Sequence, residues 1–217
     1  MIHNLKFLGM ALVAALAMSS ALAAVASADV MTSESAAATT ISGQQEGTNV
    51  MKVDGGEVKC TTVTYTGSFT SPASSASVTP TYSGCTFVGL TTTVDMNGCT
   101  YKGNLTAGAS TSGTVDIVCT GTNEITITAP SVGTKKCILH IPAQTGLSTV
   151  TGTNIGAGTT REGTADINIT NIKYSQTAGT AETGNCATAD NTTNGTYTGT
   201  ATFTGSVGGA HVGIFDS

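Results

Sequence analysis

The chain has 217 residues, with 8 basic side chains against 13 acidic ones, a formal charge of -5 and no tryptophan. That acidic balance lacks the cationic surface that phosphate backbones demand, so nucleic acid is excluded as a partner. Only 10% of the residues are charged, while Thr makes up about a fifth of the chain, well outside ordinary globular usage.

Lys6, an apolar run from Phe7 to Ala17 and the small-residue site Ala26-Ser27-Ala28 have the order of a secretory signal peptide. The expectation is a signal peptide over residues 1–28 with cleavage after Ala28; Ala21-Leu22-Ala23 is an earlier alternative. The run is shorter than the ~20 apolar residues that span a bilayer, and no later segment qualifies, so no integral membrane segment is expected after cleavage. The expected location is secreted, extracellular or at the cell surface, by bacterial export. Removing Lys6 leaves seven basic against thirteen acidic side chains, a charge of -6. The remainder suits one all-β domain.

Residues 29–56 are rich in Ser, Ala, Thr, Gln and Gly, and are expected to be a loosely ordered lead-in with one β-like patch at Thr39-Thr40-Ile41. From Glu57 onward the pattern has a period of two. Val63, Tyr65, Gly67 and Phe69 alternate with Thr and Ser, and Tyr197, Gly199, Ala201 and Phe203 alternate with Thr198, Thr200, Thr202 and Thr204, as half-buried strands do. Further strands are expected over 77–83, 87–96, 100–105, 114–118, 124–129, 136–141, 148–154, 164–174 and 210–215. About eleven short strands separated by Gly, Ser and Asn clusters imply a single domain over 57–217. An antiparallel β-sandwich of Greek-key type with three disulfides is expected first and a closed barrel second.

Six cysteines allow fifteen pairings. Antiparallel neighbours lie within disulfide reach, so each pairing sets a register. Joining Cys60 to Cys85 places Val63 opposite Tyr82 and Gly67 opposite Val78, and on the other face Thr62 opposite Ser83, Thr64 opposite Thr81 and Thr66 opposite Thr79, matching like with like. This bridge is expected to be exposed beside the Thr face. Pro80 lacks an N–H, which places its strand near an edge. Joining Cys99 to Cys119 places Tyr101 opposite Ile117 and Lys102 opposite Asp116 around a turn in 107–112, and this bridge is expected to be the more buried. Pairing Cys119 with Cys137, or Cys85 with Cys99, would put the turn inside a strand, at Thr128 or Thr92. By elimination Cys137 pairs with Cys186, tethering 176–195.

The strings Gly56-Glu57-Val58-Lys59-Cys60, Tyr82-Ser83-Gly84-Cys85, 154–161, Ile172-Lys173-Tyr174 and Asn194-Gly195-Thr196-Tyr197-Thr198-Gly199 resemble a paralogous set of small secreted, cysteine-containing proteins of soil actinobacteria. The resemblance implies export and an all-β build, and it carries over no functional residue.

Chemistry has few footholds. The cysteines are too widely spaced for a zinc site. Asp95-Met96-Asn97-Gly98 and 190–195 combine oxygen ligands with a turn Gly, but Asx turns explain both, and Ala201 stands where a calcium loop needs its Glu. Glu162 and Asp166 share a strand face without further support for a carboxylate pair. Asn104, Asn168, Asn191 and Asn194 begin sequons, which carry no meaning in a bacterial chain. The Thr content raises a lattice-matching surface, which lacks the constant repeat such surfaces need; missing Trp weakens a polysaccharide platform, although five Tyr are present. No cofactor and no metal is called for.

The expected function is a binding or structural module at or outside the cell surface, its ligand unassigned. Two alternatives stand beside it: a secreted hydrolase using His140 or His211 in a concave pocket, and a self-assembling coat protein with a long free strand edge. The tethered segment 176–195 is the first place to look for function.

Overall fold

The computed structural model describes residues 30–54, 56–106, 112–130, 136–178 and 192–216. They form β1 (Met31–Ser33), β2 (Ala38–Val53), β3 (Gly56–Thr70), β4 (Ser75–Phe87), β5 (Leu90–Asp95), β6 (Cys99–Leu105) and β7 (Ser112–Cys119). There follow β8 (Ile125–Pro130), β9 (Lys136–Ile141), β10 (Gln144–Ile155), β11 (Glu162–Ala178), β12 (Thr192–Val207), β13 (Ala210–Val212) and β14 (Ile214–Asp216), with one 3-10 turn at Gly158–Thr160. Every pairing is antiparallel. The all-β antiparallel build agrees with the sequence pattern.

The sandwich expectation takes a particular form: the twelve strands of the main sheet are continuous, and the pairing returns on itself. Five long strands, β11, β12, β2, β3 and β4, run side by side. One arch, β6, β7 and β10, joins the first part of β4 to the first part of β11. A second arch, β5, β8 and β9, joins the end of β4 to the end of β11. Each arch therefore completes a ring of eight strands, and the two rings share the five long ones. Closure satisfies N–H and C=O groups that an open sheet would leave at its edges. Between the arches, residues 79–84 of β4 and 168–174 of β11 are paired on one side only. Pro80 lies in the first of these stretches, opposite Tyr65 of β3 and with no strand on its other side.

The core sits inside the rings. Val63, Tyr65, Tyr174, Ile125 and Leu139 are almost wholly enclosed, and burying an aliphatic side chain of this size stabilises by about 1.5–3 kcal/mol. At one end, Ile41, Phe69, Ala76 and Ile214 form a separate cluster with Met31 against it. The β1–β14 ribbon thus caps that end.

The lead-in expected over 29–56 is wrong. Residues Ala38–Val53 form the long strand β2, held between β12 and β3. Its inward residues include Thr39, Gly43, Gln45 and Asn49 beside Ile41, Met51 and Val53, so the alternation is present in space but not in hydrophobicity. A register jump between Gln44 and Asn49 breaks it further. Phe87 to Met96 also divides, at a Val88-Gly89 turn, and 210–215 divides at Gly213.

Disulfides join Cys60 to Cys85 and Cys99 to Cys119, with cross-strand neighbours in the expected register, including Val63 opposite Tyr82 and Tyr101 opposite Ile117. Thr92 and Thr128 lie within strands, as the rejection of the competing pairings requires. Cys137 is disulfide-bonded; Cys186 lies outside the described residues, as does most of the tethered segment 176–195.

The expected exposures are reversed. Cys60 and Cys85 are buried, at 4% and 3% exposed, because the alternation slips by one residue on both strands at Thr61 and Gly84. Gly84 takes a φ of 60°, a backbone state that favours glycine. Cys60 and Val63 consequently both face the core. Cys99 is fully enclosed, but Cys119, the last residue of β7, is only half-buried.

Candidate functional site

Small residues at inward positions open a cavity in the first ring. Gly103 of β6, Gly113 of β7, Gly152 of β10, and Gly163 and Ala165 of β11 line it. A side chain at Gly103 or Gly163 would enter open space and fill the ring, as in other closed sheets of this strand number, whereas a Cβ on Gly113 would meet the Asn104 carbonyl. The cavity measures about 190 Å³, and its wall is almost entirely apolar. Asn154, which is exposed, is among the lining residues, so the cavity reaches the surface at the β10–β11 end.

Four tyrosines meet at its inner end. Tyr65 Oη lies 3.4 Å from Tyr197 Oη, and Tyr82 Oη lies 2.8 Å from Tyr101 Oη. Tyr65 packs on Phe203 at 5.4 Å between ring centres, and the two rings meet across Gly43, their common neighbour in the ladder. Burial raises the Tyr101 phenol to about 12. It also lifts Tyr82 and Tyr197 well above the ordinary phenol value, and raises Tyr65 despite the opposing hydrogen bond to Tyr197. All four hydroxyls are therefore neutral at physiological pH.

Beyond the tyrosines lies a second space of about 30 Å³, lined in part by Tyr82, Tyr101, Tyr197 and Asn49. Tyr101 and Tyr197 line both spaces. Asn49 is 2% exposed; its Nδ2 donates to Gln45 Oε1 at 2.7 Å, while its Oδ1 has no hydrogen-bond partner. No Lys, Arg, His, Asp or Glu lines either space.

The candidates from the sequence lie elsewhere. His211 makes a short contact between Nδ1 and the Thr159 carbonyl. His140 of β9 has Nδ1 3.2 Å from Glu124 Oε2, and Ser175 stands opposite it in the β9–β11 ladder. Their neighbours Leu139, Ile141, Tyr174 and Gln176 are buried, so alternation places Ser175 and His140 together on the outer face.

Asp95–Gly98 is an Asx turn: Asn97 N donates to Asp95 Oδ1 at 2.9 Å. Asp166 accepts from Thr200 Oγ1 at 2.8 Å, and Glu162 lies at the start of the same strand. Asn104 donates to Asp116 Oδ2, and Asn194 to Asp54 Oδ1. Asn191 and Asp190 lie outside the described residues.

The Thr face is real but broken. Thr79, Thr66, Ser42 and Thr204 form one cross-strand row, and Thr81, Thr64, Gln44 and Thr202 the next. Register then jumps between Gln44 and Asn49, and Glu46 stands opposite Thr200. Two rows make a solvated β surface. The tyrosines form no exposed platform, since Tyr65, Tyr174 and Tyr197 are buried and the Tyr82 and Tyr101 hydroxyls bond each other.

Sequence reasoning missed the cavity. Its one visible signal is Gly or Ala at inward positions of otherwise regular strands, a deviation that marks close approach or deliberate space. No protein-family model, no curated protein and no solved structure matches the chain.

Proposed function

We propose that the protein is an exported binding module whose ligand is a small, mainly apolar molecule held in the first ring. One observation carries this reading: a cavity of about 190 Å³ with an apolar wall, opening beside Asn154. Enclosed apolar pockets with a few converging polar groups are the usual form of small-molecule sites. The disulfides fit an oxidising compartment, and no helix among the described residues is long and apolar enough to cross a membrane. The disulfides support export to the extracellular space or cell surface.

The test is a thermal-shift screen of single-ring aromatic and cyclohexyl compounds against the disulfide-intact protein and a Gly163→Val variant with reduced cavity space. Binding raises the melting temperature of the native chain and not of the variant. Equal responses, or none from either protein, would sink the reading.

A hydrolase is the second reading, favoured by the row of Ser175, His140 and Glu124, which has the composition of a hydrolytic triad. Covalent labelling of Ser175 by a fluorophosphonate, lost in His140→Ala, would support it. Assembly through a strand edge is confined in the main rings to the stretches paired on one side, 79–84 of β4 and 168–174 of β11, because each of β2 to β12 otherwise has a partner on both sides.

A further inference from the structure

Building on that reading of the cavity, we propose that its ligand is an uncharged ring compound carrying one carbonyl oxygen, and that the Tyr101 and Tyr197 hydroxyls bind this oxygen. Size sets the first limit. An apolar cavity of about 150 Å³ takes up benzene, so about 190 Å³ suits a single six-membered ring with a short side chain.

Hydrogen counting sets the second. Each hydroxyl brings one hydrogen, and a hydrogen bond between two of them uses one. Tyr82 with Tyr101 and Tyr65 with Tyr197 account for two of four hydrogens. Each pair therefore has one hydrogen left over, two in all, and burying these without an acceptor is costly.

The second space accounts for the side away from the cavity. At about 30 Å³ it has the volume of one water. Asn49, which lines this space, has an Oδ1 without a hydrogen-bond partner, so a water held there has an acceptor for one of its hydrogens. With Tyr82 donating to Tyr101 and Tyr65 to Tyr197, the two remaining O–H groups are those of Tyr101 and Tyr197, and both line the large cavity.

Charge sets the third limit. Buried anions need a paired cation, and neither space is lined by one. A carboxylate ligand is therefore disfavoured, whereas a neutral carbonyl meets an O–H donor whose strength is enhanced by its apolar surroundings.

Propiophenone and propylbenzene, which differ by the carbonyl oxygen, test this by calorimetric titration of the disulfide-intact protein. Propiophenone is expected to bind about tenfold more tightly or better, with its carbonyl infrared band shifted to lower frequency on binding. Tyr101→Phe and Tyr197→Phe should bring it down to the affinity of propylbenzene while leaving propylbenzene within about twofold. Equal binding of the two probes by the native protein, or an unshifted carbonyl band, would overturn the inference and leave the cavity reading standing. Binding of neither probe would overturn both.

Discussion

Asn49 Oδ1 occupies the place where a Cβ on Gly199 would stand. Asn49 belongs to β2 and Gly199 to β12, so a buried amide enters the core only because its neighbour strand has no side chain there. The Gly199→Ala variant should lose about 2–3 kcal/mol by overpacking. Adding Asn49→Ser should recover more than half of that in urea denaturation. Strictly additive losses would show that the two residues do not share this space.

Filling the cavity should have the opposite sign. Gly163 has open space around the position of a Cβ and no positive φ, so Gly163→Val can add a branched side chain without backbone strain. Thermal denaturation should show a gain of about 1 kcal/mol, accompanied by loss of ligand-induced stabilisation. A destabilised variant that still binds would contradict the geometry.

Alkaline pH should unfold the protein through its tyrosines. Folded-state values lie above the unfolded value of 10, with Tyr101 near 12 and Tyr82 and Tyr197 also raised. The folded state therefore holds its protons more tightly, so stability is complete below pH 10 and falls as pH rises from 10 through 12 and beyond. Each such phenol contributes a slope of about 1.4 kcal/mol per pH unit within its window. Phenolate absorbance and near-ultraviolet circular dichroism should change together; ionisation of all four phenols before loss of the native signal would refute their burial.

The two disulfides should differ in worth. Their sequence separations of 25 and 20 give similar chain-entropy contributions of about 3 kcal/mol. Replacing Cys60 and Cys85 by Ala also empties two enclosed sites, whereas Cys119 is only half-buried. The Cys60/Cys85 double variant should therefore have the lower denaturation midpoint in urea. The reverse order would restore the exposure expected from unbroken alternation.

Deleting 30–53 tests the reassigned lead-in. Loss of β2 leaves β3 and β12 each with an unpaired edge, and the shortened chain should show no cooperative melting. A cooperative transition would mean that the rings close without β2.

Local pattern revealed a good part of the fold. Val63, Tyr65 and Phe69 announce β3, and the hairpin registers follow from cysteine positions because a two-residue period allows only one face to match. The same rule failed at Thr61 and Gly84, where the alternation slips by one residue on both strands. It failed again on β2, where Thr39, Gln45 and Asn49 are buried by hydrogen bonds, such as those from Gln45 Nε2 to the Gly47 and Thr61 carbonyls, and not by hydrophobicity.

What the sequence by itself determined is what depends on near neighbours or on composition: the strands, the two clasped hairpins and the acidic net charge. What only the tertiary structure decided is what depends on closure. The contacts of β4 with β6 and of β11 with β12 close the first ring. That closure brings Gly103, Gly113, Gly152 and Gly163 to face one space and gathers Tyr65, Tyr82, Tyr101 and Tyr197 at its inner end. No periodicity can announce such a meeting, since residues far apart in the chain become neighbours only once the sheet has joined its own edge.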